Sequence, residues 1–373
     1  MTKRIGILTT GGDSPGINAA IRAIGKALDN EPRVQLVGFQ DGFSGMLQES
    51  VVEMESRMFS GILTTGGTIL GTNRDQPNKM LIDGKEVDRT IDIVAAYHKY
   101  GLDGLICLGG SDAQDSAAHL MHQGLNLISL PITIDNDIPY TDTTVGFNTA
   151  LEIASEAIDR LHSTAISRHR IIIVEVMGRE SGWLTLGAGI AGGADVIIIP
   201  EIPYHIEKIS ATILDRVSHK KRFSLIAISD GAISSENVKF FEAAHKASLR
   251  NRTDEEEAEV SARLDKIAKR AAGDTLHLAN RLENFTGLET RVTILGYLQR
   301  GGAPSAADRV LGTQLGTACA ILVQQGIFGV MVGAHSGGVE PVPLDKVAGL
   351  VKTVPADHDW IRGARLVGTS LGD

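Results

Sequence analysis

The chain has 373 residues, 43% of them hydrophobic, which suits two or three domains with sizeable cores, and its formal charge of −9 excludes a general nucleic-acid binder, since phosphate neutralisation needs a basic face. Its two cysteines, Cys107 and Cys319, are too few for a disulfide framework, and no apolar run approaches the length of a bilayer span. The start, MTKRIGILTTGG, runs into a strand and a glycine turn rather than a signal peptide, so a cytoplasmic protein with no membrane and no nucleic-acid partner is expected.

Residues 4–9 read as a strand that stops at Gly11-Gly12, and the helix behind it carries Ile17, Ile21 and Ile24 on one face. A second strand runs near 34–39. After a connecting segment come Gly66-Gly67 and, a little further on, Arg74; residues 102–108 read as a third core strand ending in Gly109-Gly110. One Gly-Gly pair is ordinarily a tight turn. Three pairs, each at the end of a strand of one sheet, would expose backbone N–H groups along one edge and form a phosphate cradle.

A further apolar run contains Leu127, Ile128 and Leu130 and passes directly into a polar loop with Thr133, Asp135 and Asp137. Behind the loop, Leu151, Ala154, Ile158, Leu161 and Ala165 recur at helical spacing, which sets two carboxylates between a strand end and an amphipathic helix. The end of a parallel strand is where an open α/β sheet keeps its ligands, so this loop is the expected active site. The pattern then repeats: strands at 170–177, 195–200 and 223–228, a short helix at 184–191, and strand ends at Gly178-Arg179 and Ser229-Asp230-Gly231. Composition changes at about 234–273, where Val260, Leu264 and Ile267 share one face among charges, as in a helical surface insertion. Residues 290–298 read as a strand ending in Gln299-Arg300-Gly301-Gly302, then come a helix at 306–324, a strand at 328–332 and a tail with no legible chemistry.

Alternating strands and helices predict an α/β fold of two Rossmann-like, doubly wound domains with mainly parallel sheets. The larger would comprise 1–146 plus about 300–350 and bear the aspartate loop. The smaller would comprise 147–299 plus the C-terminal tail.

The motifs GGDSPGIN (11–18), GGTILGTNR (66–74), TIDNDI (133–138), VEVMGR (174–179) and GYLQRGG (296–302) resemble those of the 6-phosphofructokinase family, and the resemblance runs from about residue 3 to about 335. It implies a phosphofructokinase-like fold with the active site in the cleft between the domains. The implied reaction converts fructose 6-phosphate to fructose 1,6-bisphosphate, a glycolytic step, with Mg2+. By the same resemblance Asp135 is the general base, with Asp137, Thr133 and Gly12 also catalytic. The donor would meet Gly11, Gly12, Arg74, Gly109, Gly110 and Asp112, and the metal Asp112 and Asp137. The sugar phosphate would meet Arg170, Met177, Gly178, Arg179, Asp230, Arg291, Tyr297 and Arg300. In the family the arginines at 170 and 291 reach across a subunit interface, which implies a homodimer or homotetramer.

The donor motif departs from the family pattern. Ser111 stands where ATP-using members have an aspartate, Asp112 where they have a glycine, and Ile132 where glycine or, in pyrophosphate users, lysine is usual. Gln40 and Asp75 replace aromatic rings that often pack around adenine. Volume and negative charge at 112 would work against an α-phosphate, which slightly favours pyrophosphate as the expected donor, with an ATP-dependent 6-phosphofructokinase as the alternative. Asp230 is one methylene shorter than the usual glutamate, which keeps sedoheptulose 7-phosphate open as an acceptor, and loss of donor chemistry would leave a non-catalytic sugar-phosphate-binding regulator.

Overall fold

In the computed structural model, residues 2–29, 31, 33–166, 170–239 and 275–373 are described. The charged insertion expected at about 234–273 lies, from residue 240 on, outside them. The chain forms two compact units, Met1–Ala150 with Arg300–Lys352, and Leu151–Gln299 with Thr353–Asp373.

The first unit begins with strands β1 (Lys3–Thr10), β2 (Val34–Phe39), β3 (Val51–Glu53), a hairpin of β4 (Met80–Ile82) and β5 (Lys85–Val87), then β6 (Gly104–Gly109), β7 (Leu127–Thr133) and β8 (Val145–Gly146). The second unit contributes β9 (Ile171–Val176), β10 (Val196–Ile198), β11 (Ser224–Ser229) and β12 (Thr290–Ile294), after which β13 (Val330–His335) and β14 (Gly338–Pro343) return to the first. The sheet of the first unit has the order β14-β13-β7-β6-β1-β2-β3, with β8 alongside β7. Its inner pairs are parallel, and β3 and β14 close the two edges antiparallel. Every residue of β6 and β7 is buried, as helices on both faces of a parallel sheet demand. The second unit has an all-parallel sheet in the order β10-β11-β9-β12.

Helix Ile17–Asp29 packs on helix Ala306–Gln325 through small residues. A Cβ on Gly312 would lie 3.2 Å from the Gly16 carbonyl oxygen, a tight contact, and one on Gly316 2.7 Å from that of Ala20, so at Gly316 this approach requires glycine. Ser305 caps the second helix by accepting from the Asp308 N–H, and Gly326 ends it in the left-handed conformation.

Two sequence expectations are corrected. The strand read over 290–298 stops at Ile294, and Gly296–Arg300 is a 3₁₀ turn, so the GYLQRGG motif is a loop. Gly66-Gly67 follows the 3₁₀ turn Ile62–Thr64 rather than a strand of the sheet. An apolar run by itself does not distinguish a strand from a short turn, and Ile294, Tyr297 and Leu298 are in fact exposed. No helix among the described residues is long and apolar enough to cross a membrane.

Candidate active site

In the first unit β1, β6 and β7 lie side by side, with Thr10 opposite Gly109 and Gly109 opposite Pro131, so the turns that follow them adjoin at one sheet edge. In the first turn Gly11 holds φ +95°, a region open to glycine, and its N–H donates to the Asn73 carbonyl at 2.7 Å. The Thr72 hydroxyl donates to the Gly11 carbonyl at 3.0 Å. The loop carrying Arg74 is thereby laid on the first glycine pair, although it belongs to no strand of the sheet. The buried Arg300 guanidinium occupies the space a Cβ on Gly12 would need, and its Nη1 donates to the Asp13 carbonyl at 2.9 Å. Gly66 touches the Gly302 carbonyl in the same way. Three motifs distant in sequence therefore share one place.

The second turn leads from β6 into helix Ser111–His122, whose N-cap is Gly110. Free N–H groups at such an N-terminus suit a phosphate. The helix is pinned by the buried Gln114, whose Nε2 donates to the carbonyls of Gly109 at 3.2 Å and Leu130 at 3.4 Å, and whose Oε1 accepts from the Ser129 hydroxyl. A Cβ on Gly109 would collide with the Thr10 carbonyl and with the Ala113 side chain. Gly109→Ala is therefore expected to destabilise the fold by about 1–3 kcal/mol, as overpacking does, and to raise the donor KM. Urea unfolding and steady-state kinetics check both.

The third turn bears the two aspartates. Thr133 Oγ1 accepts from the Asp135 N–H at 3.2 Å and lies 3.3 Å from Asp135 Oδ2, so the hydroxyl and the carboxylate are held together. Asn136 turns the chain at φ 52°, and beyond it the Ser111 hydroxyl donates to Asp137 Oδ2 at 3.0 Å. Ser111 thus ties the donor turn to the aspartate loop. The exposed Asp112 accepts from Gln76 Nε2 at 2.7 Å. Among the described residues no three His, Cys, Asp or Glu side chains converge into a metal cage. Magnesium is ordinarily held by one or two carboxylates plus substrate phosphates and water, and the half-buried Asp137, with Asp112 on the neighbouring turn, fits that mode.

Ile132 stands where the family has glycine or lysine. It is fully buried and paired with Val145 on β8, within the core that also holds Ile17, Leu130 and Leu311. Alternation along β7 sets it on the face opposite Thr133. Gln40 and Asp75 engage in local bonds, the first accepting from the Ser50 hydroxyl at 3.0 Å and the second from the Ser44 hydroxyl.

The tail, which carries no legible chemistry in sequence, supplies Lys352. Its N–H donates to the Asp137 carbonyl at 2.6 Å, and its ammonium donates to Asn136 Oδ1 at 3.0 Å and to the Thr141 carbonyl at 2.8 Å. Burial pushes its pKa down to about 8 against the pull of Asp137 and Asp142, which leaves it mainly cationic at neutral pH. A lone lysine after two exposed apolar residues gives no sequence signal.

In the second unit the ends of β9 and β11 meet. Gly178 N–H donates to Asp230 Oδ1 at 2.9 Å, the Ser229 hydroxyl donates to the Gly178 carbonyl, and Met177 N–H donates to Gln299 Oε1 at 3.3 Å. Gly231 abuts the Arg179 carbonyl so closely that a Cβ there would overlap it. Met177, Gly178, Arg179 and Asp230 are thus brought together, and Tyr297 is exposed at 78% beyond the end of β12. Arg170 and Arg291 are not with them. Both pair with Glu289 at the opposite end of the strands, Arg170 at 2.9 Å. The length of β9 separates Arg170 from Met177 by about 23 Å at the usual strand rise.

The sequence profile of the Phosphofructokinase family matches residues 4–323. A relative from Propionibacterium freudenreichii subsp. shermanii, named ATP-dependent 6-phosphofructokinase, is 52% identical over 375 residues and covers 100% of both chains. The crystal structure of Pichia pastoris phosphofructokinase in the T-state matches with a TM-score of 0.73 at 29% identity over 93% of this chain; this chain spans only 35% of the length of that one. The pyrophosphate-dependent phosphofructokinase of Marinobacter aquaeolei matches with a TM-score of 0.76 at 22% identity, covering 96% of this chain and 88% of that one, a likeness of fold alone.

Proposed function

Since the chain belongs to the phosphofructokinase family, we propose that it transfers the terminal phosphoryl group of ATP to fructose 6-phosphate, giving fructose 1,6-bisphosphate. The observation that carries this reading is the Thr133–Asp135 pair set at the same sheet edge as the N-terminus of helix Ser111–His122. Asp135 takes the proton of the attacking hydroxyl as general base. Thr133 and the Gly12 N–H offer donors to the transferring group. Gly11, Arg74, Gly109 and Gly110 bind the donor. Asp137 and Asp112 would hold the magnesium, which would supply charge neutralisation on the phosphates when bound.

On the sugar side, Met177, Gly178, Arg179, Asp230, Tyr297 and Arg300 bind the substrate. Asp230 accepts from sugar hydroxyls, and guanidinium forks bind phosphate oxygens bidentately. Arg170 and Arg291, at the far ends of their strands, serve a second copy of the chain, and the working unit is a homodimer or homotetramer in the cytoplasm.

The donor departs from the sequence expectation of pyrophosphate. That expectation rested on the volume and charge of Asp112 and on the absence of aromatic rings at Gln40 and Asp75; Asp112 accepts a hydrogen bond from Gln76. The relative at 52% identity over the whole chain carries an ATP-dependent name, which supports ATP. Purified protein assayed with fructose 6-phosphate, Mg2+ and either donor is expected to show kcat/KM about 10²-fold or more higher with ATP. Equal or reversed preference would overturn the donor assignment, and no product with either donor would overturn the function.

A further inference from the structure

The loop from Thr133 to Val145 bears the two aspartates but little regular structure. Asn136 and Thr141 on it are buried, and Asn136 and Tyr140 hold φ of 52° and 56°. Non-glycine residues keep such conformations only where their surroundings impose them. The far half of the loop is stitched to β13. Asp142 N–H donates to the Ala334 carbonyl at 2.8 Å, Ala334 N–H donates to Thr141 Oγ1 at 3.0 Å, and Ser336 N–H donates to Asp142 Oδ2 at 2.7 Å. The half nearer the aspartates is held from outside by Ser111 and by the bonds of Lys352 to Asp137, Asn136 and Thr141.

We propose that Lys352 is a positioning residue for phosphoryl transfer, its ammonium clamping the two sides of the aspartate loop so that Asp135 and Asp137 keep their spacing. An ammonium has three donors and no acceptor. Among the oxygens it meets are Asn136 Oδ1, the Thr141 carbonyl and, at 3.3 Å, the Asp142 carbonyl. A carboxamide oxygen from one side of the loop and two carbonyls from the other are thereby drawn to one cation. Lys352 acts through the loop. The kinetic arm of its test rests on the phosphofructokinase reading, and the structural arm does not.

Lys352→Met removes the ammonium but keeps side-chain bulk and the backbone N–H to Asp137, and Lys352→Arg restores charge and donors. The Met variant is expected to lose about 10–100-fold in kcat, as small misplacements of reacting groups do, with KM for fructose 6-phosphate and Tm little changed, and the Arg variant to recover most of kcat. Independently of turnover, amide hydrogen exchange in the peptide spanning 134–142 is expected to be about tenfold or more faster in the Met variant. Unchanged exchange in that peptide overturns the proposal, whether or not the wild type turns over fructose 6-phosphate. So does an equal loss in both variants accompanied by a fall in Tm, which marks a merely structural lysine. A wild type inactive with either donor overturns the proposed function, and the exchange result then decides the clamp alone.

Discussion

Asp135→Asn is expected to lower kcat by about 10²–10⁴-fold, the usual contribution of a positioned general base, with little change in KM for fructose 6-phosphate. Asn has the shape of Asp, and its Oδ1 can still receive the Thr133 hydroxyl bond that the carboxylate receives at 3.3 Å, while the Asp135 N–H keeps its own bond to Thr133 Oγ1. The loop is further held by the Ser111, Asn136 and Lys352 contacts, none of which involves the side chain of residue 135. Fold and sugar affinity should therefore survive while proton acceptance is lost. Circular dichroism and steady-state kinetics on one preparation check this. Undiminished turnover would exclude Asp135 as the base.

Arg170→Ala should act on binding. A charge-assisted hydrogen bond contributes about 1.5–3 kcal/mol, so the loss of one to the sugar phosphate raises KM for fructose 6-phosphate by about 10–100-fold. Because Arg170 lies at the end of β9 opposite Met177 and Gly178, the phosphate it meets is expected to belong to the site of another copy. This gives a sharper experiment. Asp135→Asn chains and Arg170→Ala chains, each deficient alone, are unfolded together and reassembled. Random assembly leaves about one site in four with an intact Asp135 from one copy and an intact Arg170 from the other. Recovery of about a quarter of wild-type activity supports a shared site. Activity no greater than the mean of the two parents would place Arg170 in the site of its own chain.

Much of the site was legible because phosphate chemistry needs residues that betray themselves in sequence. Gly109 is glycine since the strand beside it leaves no room for a Cβ, Gly11 since the turn needs φ +95°, and both stand at the ends of apolar runs. Continuous apolar strands such as β6 and β7 announce a parallel sheet, and a polar Thr-Ile-Asp-Asn-Asp immediately after one of them announces what that sheet is for. Other features were read wrongly or not at all. Ile132 passed for a donor-site residue because one position along a strand separates core from edge, and only the pairing with β8 decides which way it faces. Glu289, which binds both Arg170 and Arg291, is an unremarkable acidic residue until β9 and β12 are paired.

Local sequence by itself determined the α/β class, the central strands of the two sheets, and the turns that carry Gly12, Gly109, Thr133 and Asp135, because continuous apolar runs and glycine turns are written in neighbours a few residues apart; the edge strands β3 and β14 and the short β8 were not legible. Only the tertiary structure decided that Arg300 lies against Gly12, that Ser111 reaches Asp137, and that Lys352 closes on the aspartate loop. Each of these contacts joins residues far apart in sequence through a few hydrogen bonds or one close approach. No local periodicity encodes such a meeting; it exists only once the sheet has brought its strand ends to a common edge.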